Sequence, residues 1–111
     1  SISFVKKCCI PVIKAISIRN REDLEKANKF RDYAEYVLLD SSTPGSGRQI
    51  KVNFKNLAYP FLLAGGISPE NVKNFMGKIN SVGIDVASGI ETNGKIDFKK
   101  IRSLLNQLKS C

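Results

Sequence analysis

At 111 residues, with 42% hydrophobic and 25% charged side chains, the chain has the size and balance of a single soluble globular domain, residues 1–111, with room for a modest core. No run reaches the ~18 apolar residues of a membrane span, and no charged start followed by an apolar stretch marks a secretory leader, so cytoplasmic residence is the expectation. The formal charge of +8 is spread along the chain instead of forming an aromatic-interleaved stripe, which argues against nucleic acid and suits an anionic, phosphorylated metabolite.

Histidine is absent, which removes the commonest general base and metal ligand, so any chemistry must rest on Asp, Glu, Cys or Lys. Cys8, Cys9 and Cys111 have neither a metal-site spacing nor the pattern of a disulfide framework. They read as free thiols, and no metal centre is expected.

The β-branched run Val12-Ile13-Lys14-Ala15-Ile16-Ser17-Ile18 predicts a first strand. Asn20, with Asp23 three residues on, caps a helix over about 21–31 whose inner face carries Leu24, Ala27, Phe30 and Ala34. Tyr36-Val37-Leu38-Leu39-Asp40 is a second strand, apolar until it meets an acid at its C-terminal end. Residues 41–49, rich in Gly, Pro and Ser, form a loop, and 52–57 a short helix. Residues 60–64 make the third strand. Ser68 then caps a helix with Pro69 at its first position and Val72, Phe75, Met76 and Ile79 on its buried side. Residues 83–87 are the fourth strand. After a loop through Asn93-Gly94, a last helix begins near Asp97 and buries Phe98, Ile101, Leu104, Leu105 and Leu108. The order βαβαβαβα, with strands apolar on both faces, predicts an α/β fold with a parallel sheet covered by helices.

Chemistry gathers at the strand ends: Ser17 and Arg19, then Asp40, then Gly65 with Gly66, then Asp85 with Ser88 and Gly89. Glycine lets a backbone approach an anion closely, so two small-residue turns after the last two strands predict one shared phosphate site. In α/β barrels, phosphate is held by the loops after the last two strands.

These motifs resemble the C-terminal half of phosphoribosylanthranilate isomerase, a (β/α)8 barrel enzyme of tryptophan biosynthesis. The segment from Val12 to Ile16 resembles its fifth strand, and Leu38-Leu39-Asp40 with Gly45-Ser46-Gly47-Arg48 its sixth strand and loop. The segment from Leu63 to Val72 resembles its seventh strand and turn, and that from Gly83 to Glu91 its eighth strand. The resemblance implies a parallel (βα)4 half of a TIM barrel. It also implies a cofactor-free Amadori rearrangement of N-(5-phosphoribosyl)anthranilate, an aldose-ketose isomerisation. Asp40 is then the general acid at the ring oxygen, and Asp85 contacts the sugar hydroxyls. Gly65, Gly66, Ser88 and Gly89 hold the phosphate, with Gly47 and Arg48 as further substrate contacts; Arg48 stands where the family usually has Lys.

The family's general base is a cysteine in the first barrel strand, and neither Cys8 nor Cys9, which precede the fifth-strand motif and are followed by Ile10-Pro11, maps onto it. A full barrel takes about 200 residues or more. The expectation is therefore a chain that carries the acid but not the base, inactive alone, with open sheet edges that a second half-barrel, either the N-terminal half or another copy, would cover. The alternative is a non-catalytic phosphate-binding half-barrel that acts by association. A neighbouring barrel chemistry, such as indoleglycerol-phosphate synthase or a ribulose-phosphate epimerase, fits less well, because the Gly45–Arg48 loop follows Asp40 as in the isomerase.

Overall fold

The computed structural model describes residues 1–41, 57, 59–76 and 81–109. Its centre is a four-stranded parallel sheet in sequential order, β1 (Ile13–Ser17), β2 (Tyr36–Asp40), β3 (Phe61–Ala64) and β4 (Ser81–Ile84). Helices are α1 (Ile2–Lys7), α2 (Arg21–Asn28), α3 (Val72–Met76) and α4 (Phe98–Lys109), with a 3₁₀ turn at Ser88–Ile90. The parallel α/β architecture expected from the alternating pattern is the one observed. The short helix expected at 52–57 and the loop at 41–49 fall almost wholly outside the described residues.

Cα partners on neighbouring parallel strands point to the same side of a sheet, and successive residues alternate. The rungs Lys14/Val37/Phe61 and Ile16/Leu39/Leu63/Ile84 therefore share one face, and Ala15/Leu38/Leu62/Gly83 and Ser17/Asp40/Ala64 the other. On the first face Val37, Leu39, Phe61 and Leu63 are fully buried, and with Leu24, Ala27, Val72 and Leu104 from the helices they form the core. Each such side chain contributes on the order of 2 kcal/mol by leaving water.

The second face differs from expectation. Ile13 is 56% and Tyr36 38% exposed, Leu38 and Leu62 are half-buried, and the described helices cover only the first face. Strands apolar on both sides need cover on both sides, and here that demand is met on one side. Among the described residues, β1 and β4 each have a single strand neighbour.

Helix boundaries shift for local reasons. The α2 cap forms as read: Asn20 is extended, and its Oδ1 accepts from Asp23 N at 3.0 Å. The helix ends at Asn28, not near Arg31, because the next N–H groups bond three residues back, Lys29 to Lys26 and Phe30 to Ala27, the tighter 3₁₀ pattern common at helix ends. Residues 68–71 form a turn, so α3 starts at Val72 instead of Pro69: Ser68 O accepts from both Asn71 N (3.2 Å) and Val72 N (3.0 Å). Val72 is buried and Phe75 half-buried as expected; the Met76 side chain and Ile79 lie outside the described residues.

β4 runs from Ser81 to Ile84 instead of over 83–87, with a register irregularity opposite Phe61/Leu62. Asn93 (φ 54°) and Gly94 (φ 77°) both take left-handed backbone and close a small antiparallel hairpin, β5 (Glu91–Thr92) with β6 (Lys95–Ile96), where a plain loop was expected. Asn-Gly is the preferred pair for such a two-residue turn. The 12-residue α4 buries Leu104 and half-buries Ile101 and Leu108, but Phe98 is 81% and Leu105 51% exposed, against expectation. At about 100° per residue, Phe98 and Leu105 occupy the same edge of a broad apolar arc, and α3 and the 3₁₀ turn pack on the other part of it.

Candidate functional site

Asp40 closes β2 in register with Ser17 on β1 and Ala64 on β3, on the uncovered face, and is half-buried. Its backbone is held from both sides. Ile18 N donates to Asp40 O at 2.7 Å, and the next residue, Ser41, donates from N (3.0 Å) and from Oγ (3.2 Å) to Ala64 O. The carboxyl-bearing strand end is thereby tied to the residue that immediately precedes Gly65. Asp85, directly after β4, donates from N to Leu63 O at 2.8 Å and is exposed. Parallel ladders thus bring Asp40, the Gly65 turn and Asp85 to the same end of the sheet.

Gly65 (φ 109°) and Gly66 (φ 63°) both hold positive φ, a backbone that a Cβ disfavours. The turn they begin is braced by Asn71, whose Oδ1 accepts from Ser68 N at 2.8 Å and whose Nδ2 donates to Gly66 O at 2.7 Å. Glu70, in the same turn, has its carboxyl held below the usual value by its own backbone N–H, next by the Ser68 side chain, and more weakly by the charge of Lys100.

The second small-residue turn packs on the first. A Cβ built on Gly89 would collide with the Ile67 carbonyl oxygen and stand 2.9 Å from its carbon and 3.1 Å from Ser68 Cα. Only a residue without a side chain lets the 3₁₀ turn Ser88–Ile90 sit against the Gly65–Ser68 turn. Lys100 on α4 secures the far side, its Nζ donating to Glu91 O at 2.5 Å. Asp97 opens α4, accepting from Lys99 N at 2.9 Å and from Thr92 Oγ1 at 2.7 Å, and the Thr92 bond is the main reason its carboxyl lies below the usual value.

Of the residues singled out from sequence, Asp40, Gly65, Gly66, Asp85, Ser88 and Gly89 stand at or just after strand C-termini, and the two glycine turns are in contact. Gly47 and Arg48 lie outside the described residues. Cys8 and Cys9 follow α1 and precede β1, and Cys8 lines a cavity of about 380 Å³ with Ala34 and Glu35, which lead into β2. They therefore belong to the opposite end of the sheet. Among the described residues no group of three or more Cys, Asp or Glu could hold a metal. A second cavity of about 410 Å³, lined by residues such as Thr92, Ile96 and Phe98, includes none of the predicted site residues in its lining. The brace from Asn71 escaped the sequence reading: a polar residue five places after a Gly-Gly pair could have raised it, but the two partners are set by the turn.

A sequential parallel sheet, with helices on one face and acids and glycine turns at the strand C-termini, defines an α/β protein of the TIM-barrel kind. Comparison with known proteins narrows this. The family model described as N-(5'phosphoribosyl)anthranilate (PRA) isomerase matches residues 2–107. Curated relatives carrying that enzyme's name include one from a Synechococcus strain, 41% identical over 112 residues (88% of this chain, 47% of the relative), and one from Oceanobacillus iheyensis, 37% identical (98% and 56%). The phosphoribosyl anthranilate isomerase structure from Thermotoga maritima superimposes with a TM-score of 0.77 at 31% identity, covering 93% of this chain and 53% of that one. The chain belongs to the N-(5'-phosphoribosyl)anthranilate isomerase family. It spans about half the length of the curated relatives it matches.

Proposed function

We propose that these residues form the C-terminal half, strands five to eight, of a barrel that converts N-(5-phosphoribosyl)anthranilate to 1-(2-carboxyphenylamino)-1-deoxyribulose 5-phosphate in tryptophan biosynthesis. Asp40 is the general acid. It gives its proton to the furanose ring oxygen as the C1–O bond opens, leaving an iminium at C1. Loss of the C2 proton to a base then yields an enolamine that tautomerises to the ketose. No external oxidant or cofactor enters, because the oxidation at C2 balances the reduction at C1. Free aspartate is almost wholly ionised at neutral pH, so this role calls for a desolvating surround of the kind a closed barrel supplies.

Gly65, Gly66, Ser88 and Gly89 hold the phosphate, Asp85 meets the sugar hydroxyls, and Gly47 and Arg48 extend the contact from the loop after β2. The base lies outside the 111 residues, so they do not turn over substrate alone. The observation that carries this reading is the convergence of Asp40 and the two interlocked glycine turns at one end of the sheet.

Completion with the N-terminal half of a relative, supplied as a second chain, tests it. Turnover should appear, and Asp40→Asn should reduce it about 10²- to 10⁴-fold, the usual contribution of a general acid, while phosphate affinity stays within twofold. Activity within tenfold of the parent in the Asp40→Asn complex would overturn the role of the acid.

The uncovered face bearing Ile13, Tyr36, Leu38 and Leu62 favours a second reading, a non-catalytic phosphate-binding half that pairs with another chain or copy. Sedimentation at micromolar concentration separates the two: a well-defined dimer of the chain supports pairing, and a monomer that retains its helical signature counts against it.

A further inference from the structure

We infer that Asn71 is a positioning residue for the phosphate, acting through the Gly65–Ser68 turn; this rests on the reading that Gly65 and Gly66 hold that phosphate. The side-chain amide of Asn71 is used at both ends. Its Oδ1 takes the Ser68 N–H and its Nδ2 serves the Gly66 carbonyl, while its backbone N donates to Ser68 O. The two side-chain partners also fix the orientation of the amide, since the reverse flip would oppose donor to donor and acceptor to acceptor.

Neither partner is incidental. Gly66 O and Ile67 N belong to one planar peptide and point in opposite directions, so holding the carbonyl on Asn71 aims the Ile67 N–H away from Asn71. Capture of the Ser68 N–H spends that donor inside the turn. The backbone being held contains two successive positive-φ glycines, at 109° and 63°. Such residues have many other conformations open to them, and the entropy of choosing one is larger than for any other residue type. A brace on this turn therefore sets how much of the population is ready for an anion, a cost that otherwise falls on binding.

Other side chains are poor substitutes. Aspartate keeps the acceptor for Ser68 but sets an anionic oxygen against the Gly66 carbonyl and adds negative charge beside the phosphate. Alanine loses both bonds. Glutamine adds a methylene that displaces both ends of the amide from their partners.

The test is a titration of the 111-residue chain with inorganic phosphate, followed by backbone amide shifts of residues 65–68 and 88–89, with urea unfolding midpoints in parallel. The parent should show saturable shifts at both turns. Asn71→Ala and Asn71→Asp should each bind phosphate at least tenfold more weakly, with the Asp variant keeping an unfolding midpoint close to the parent. In the completed enzyme, Asn71→Asp should raise KM at least tenfold and leave kcat within twofold, a split that a merely structural role would not produce. Unchanged phosphate affinity in both variants overturns the inference while the phosphate reading stands. A parent chain with no saturable shift at either turn overturns the phosphate reading, and the role of Asn71 with it.

Discussion

Replacing Gly89 with alanine challenges the interlock of the two turns at its tightest point. The added methyl would collide with the Ile67 carbonyl oxygen, 2.9 Å from the carbonyl carbon and 3.1 Å from Ser68 Cα. All three atoms are backbone, so no side-chain rotation relieves the overlap. Either the Ser88–Ile90 turn moves off the Gly65–Ser68 turn or the latter deforms. Overpacking of this kind costs about 1–3 kcal/mol, and with rigid neighbours the upper end applies, about 3 kcal/mol. For a chain of this size that lowers the thermal midpoint by roughly 13 °C. Urea unfolding should show a lower midpoint at unchanged slope, and phosphate titration should show the amide shifts of the two turns lost together.

Two other glycines calibrate the experiment. A Cβ on Gly94 meets nothing within 4 Å, but its φ is 77°, so Gly94→Ala should cost only the left-handed backbone penalty, about 1 kcal/mol, and leave phosphate binding intact. A Cβ on Gly83 meets only the Leu62 Cδ2 end at 2.9 Å, which can rotate away, so Gly83→Ala should be milder than Gly89→Ala. A Gly89→Ala chain within about 0.5 kcal/mol of the parent, the ordinary range for a surface change, that also binds phosphate normally would refute the interlock.

The α2 cap predicts an acid-dependent stability. The Asp23 carboxyl accepts from Arg19 N at 2.8 Å and from Arg19 Nε at 3.4 Å, and the backbone bond is the main reason it ionises below the usual value near 3.8. A depressed folded-state pKa stabilises above the unfolded value and ceases to do so as pH falls through the folded one. The urea midpoints of the parent and Asp23→Asn should therefore differ at pH 6 and draw together as pH falls past the usual value near 3.8 and through the lower folded-state value; a constant difference would contradict the assignment. Asn20→Ala, which removes the acceptor for Asp23 N, should cost about 1 kcal/mol, measured by the same unfolding at neutral pH. Tyr59 has a buried hydroxyl with no partner among the described residues, and burial pushes its ionisation up. Tyr59→Phe, which keeps the edge contact with Phe61, should be neutral or stabilising by up to about 1 kcal/mol; a loss above that would reveal a partner.

The one-dimensional pattern was enough for the number and order of the strands, though not for the limits of β4, which lies at Ser81–Ile84 and not 83–87, because four short β-branched or apolar runs separated by capped amphipathic segments admit few arrangements other than a parallel sheet. It was also enough to find the glycine turns, since Gly65-Gly66 stands where an apolar run stops, and to mark Asp40 as the one acid that ends the second run. Helix limits were less legible. Pro69 suits a first helical position, yet the chain makes a turn over 68–71, with Asn71 N bonded three residues back to Ser68 O, and α3 begins only at Val72. The Asn93-Gly94 hairpin was readable in principle, because positive φ at two successive residues favours that dipeptide.

What only the tertiary structure decided is which apolar surfaces are covered and which small residues are indispensable. Ile16 and Ala15 are neighbours in a uniformly apolar run, but Ile16 faces the helices and is buried while Ala15 faces away and is exposed. Periodicity placed Phe98 and Leu105 on the apolar arc of α4, and the partner surface, which periodicity does not contain, left both exposed. Gly89 and Gly94 are the same residue in the sequence. The fold places the Ile67 carbonyl against one and solvent-facing space around the other, since steric necessity is a property of what the chain brings near a residue, not of the residue.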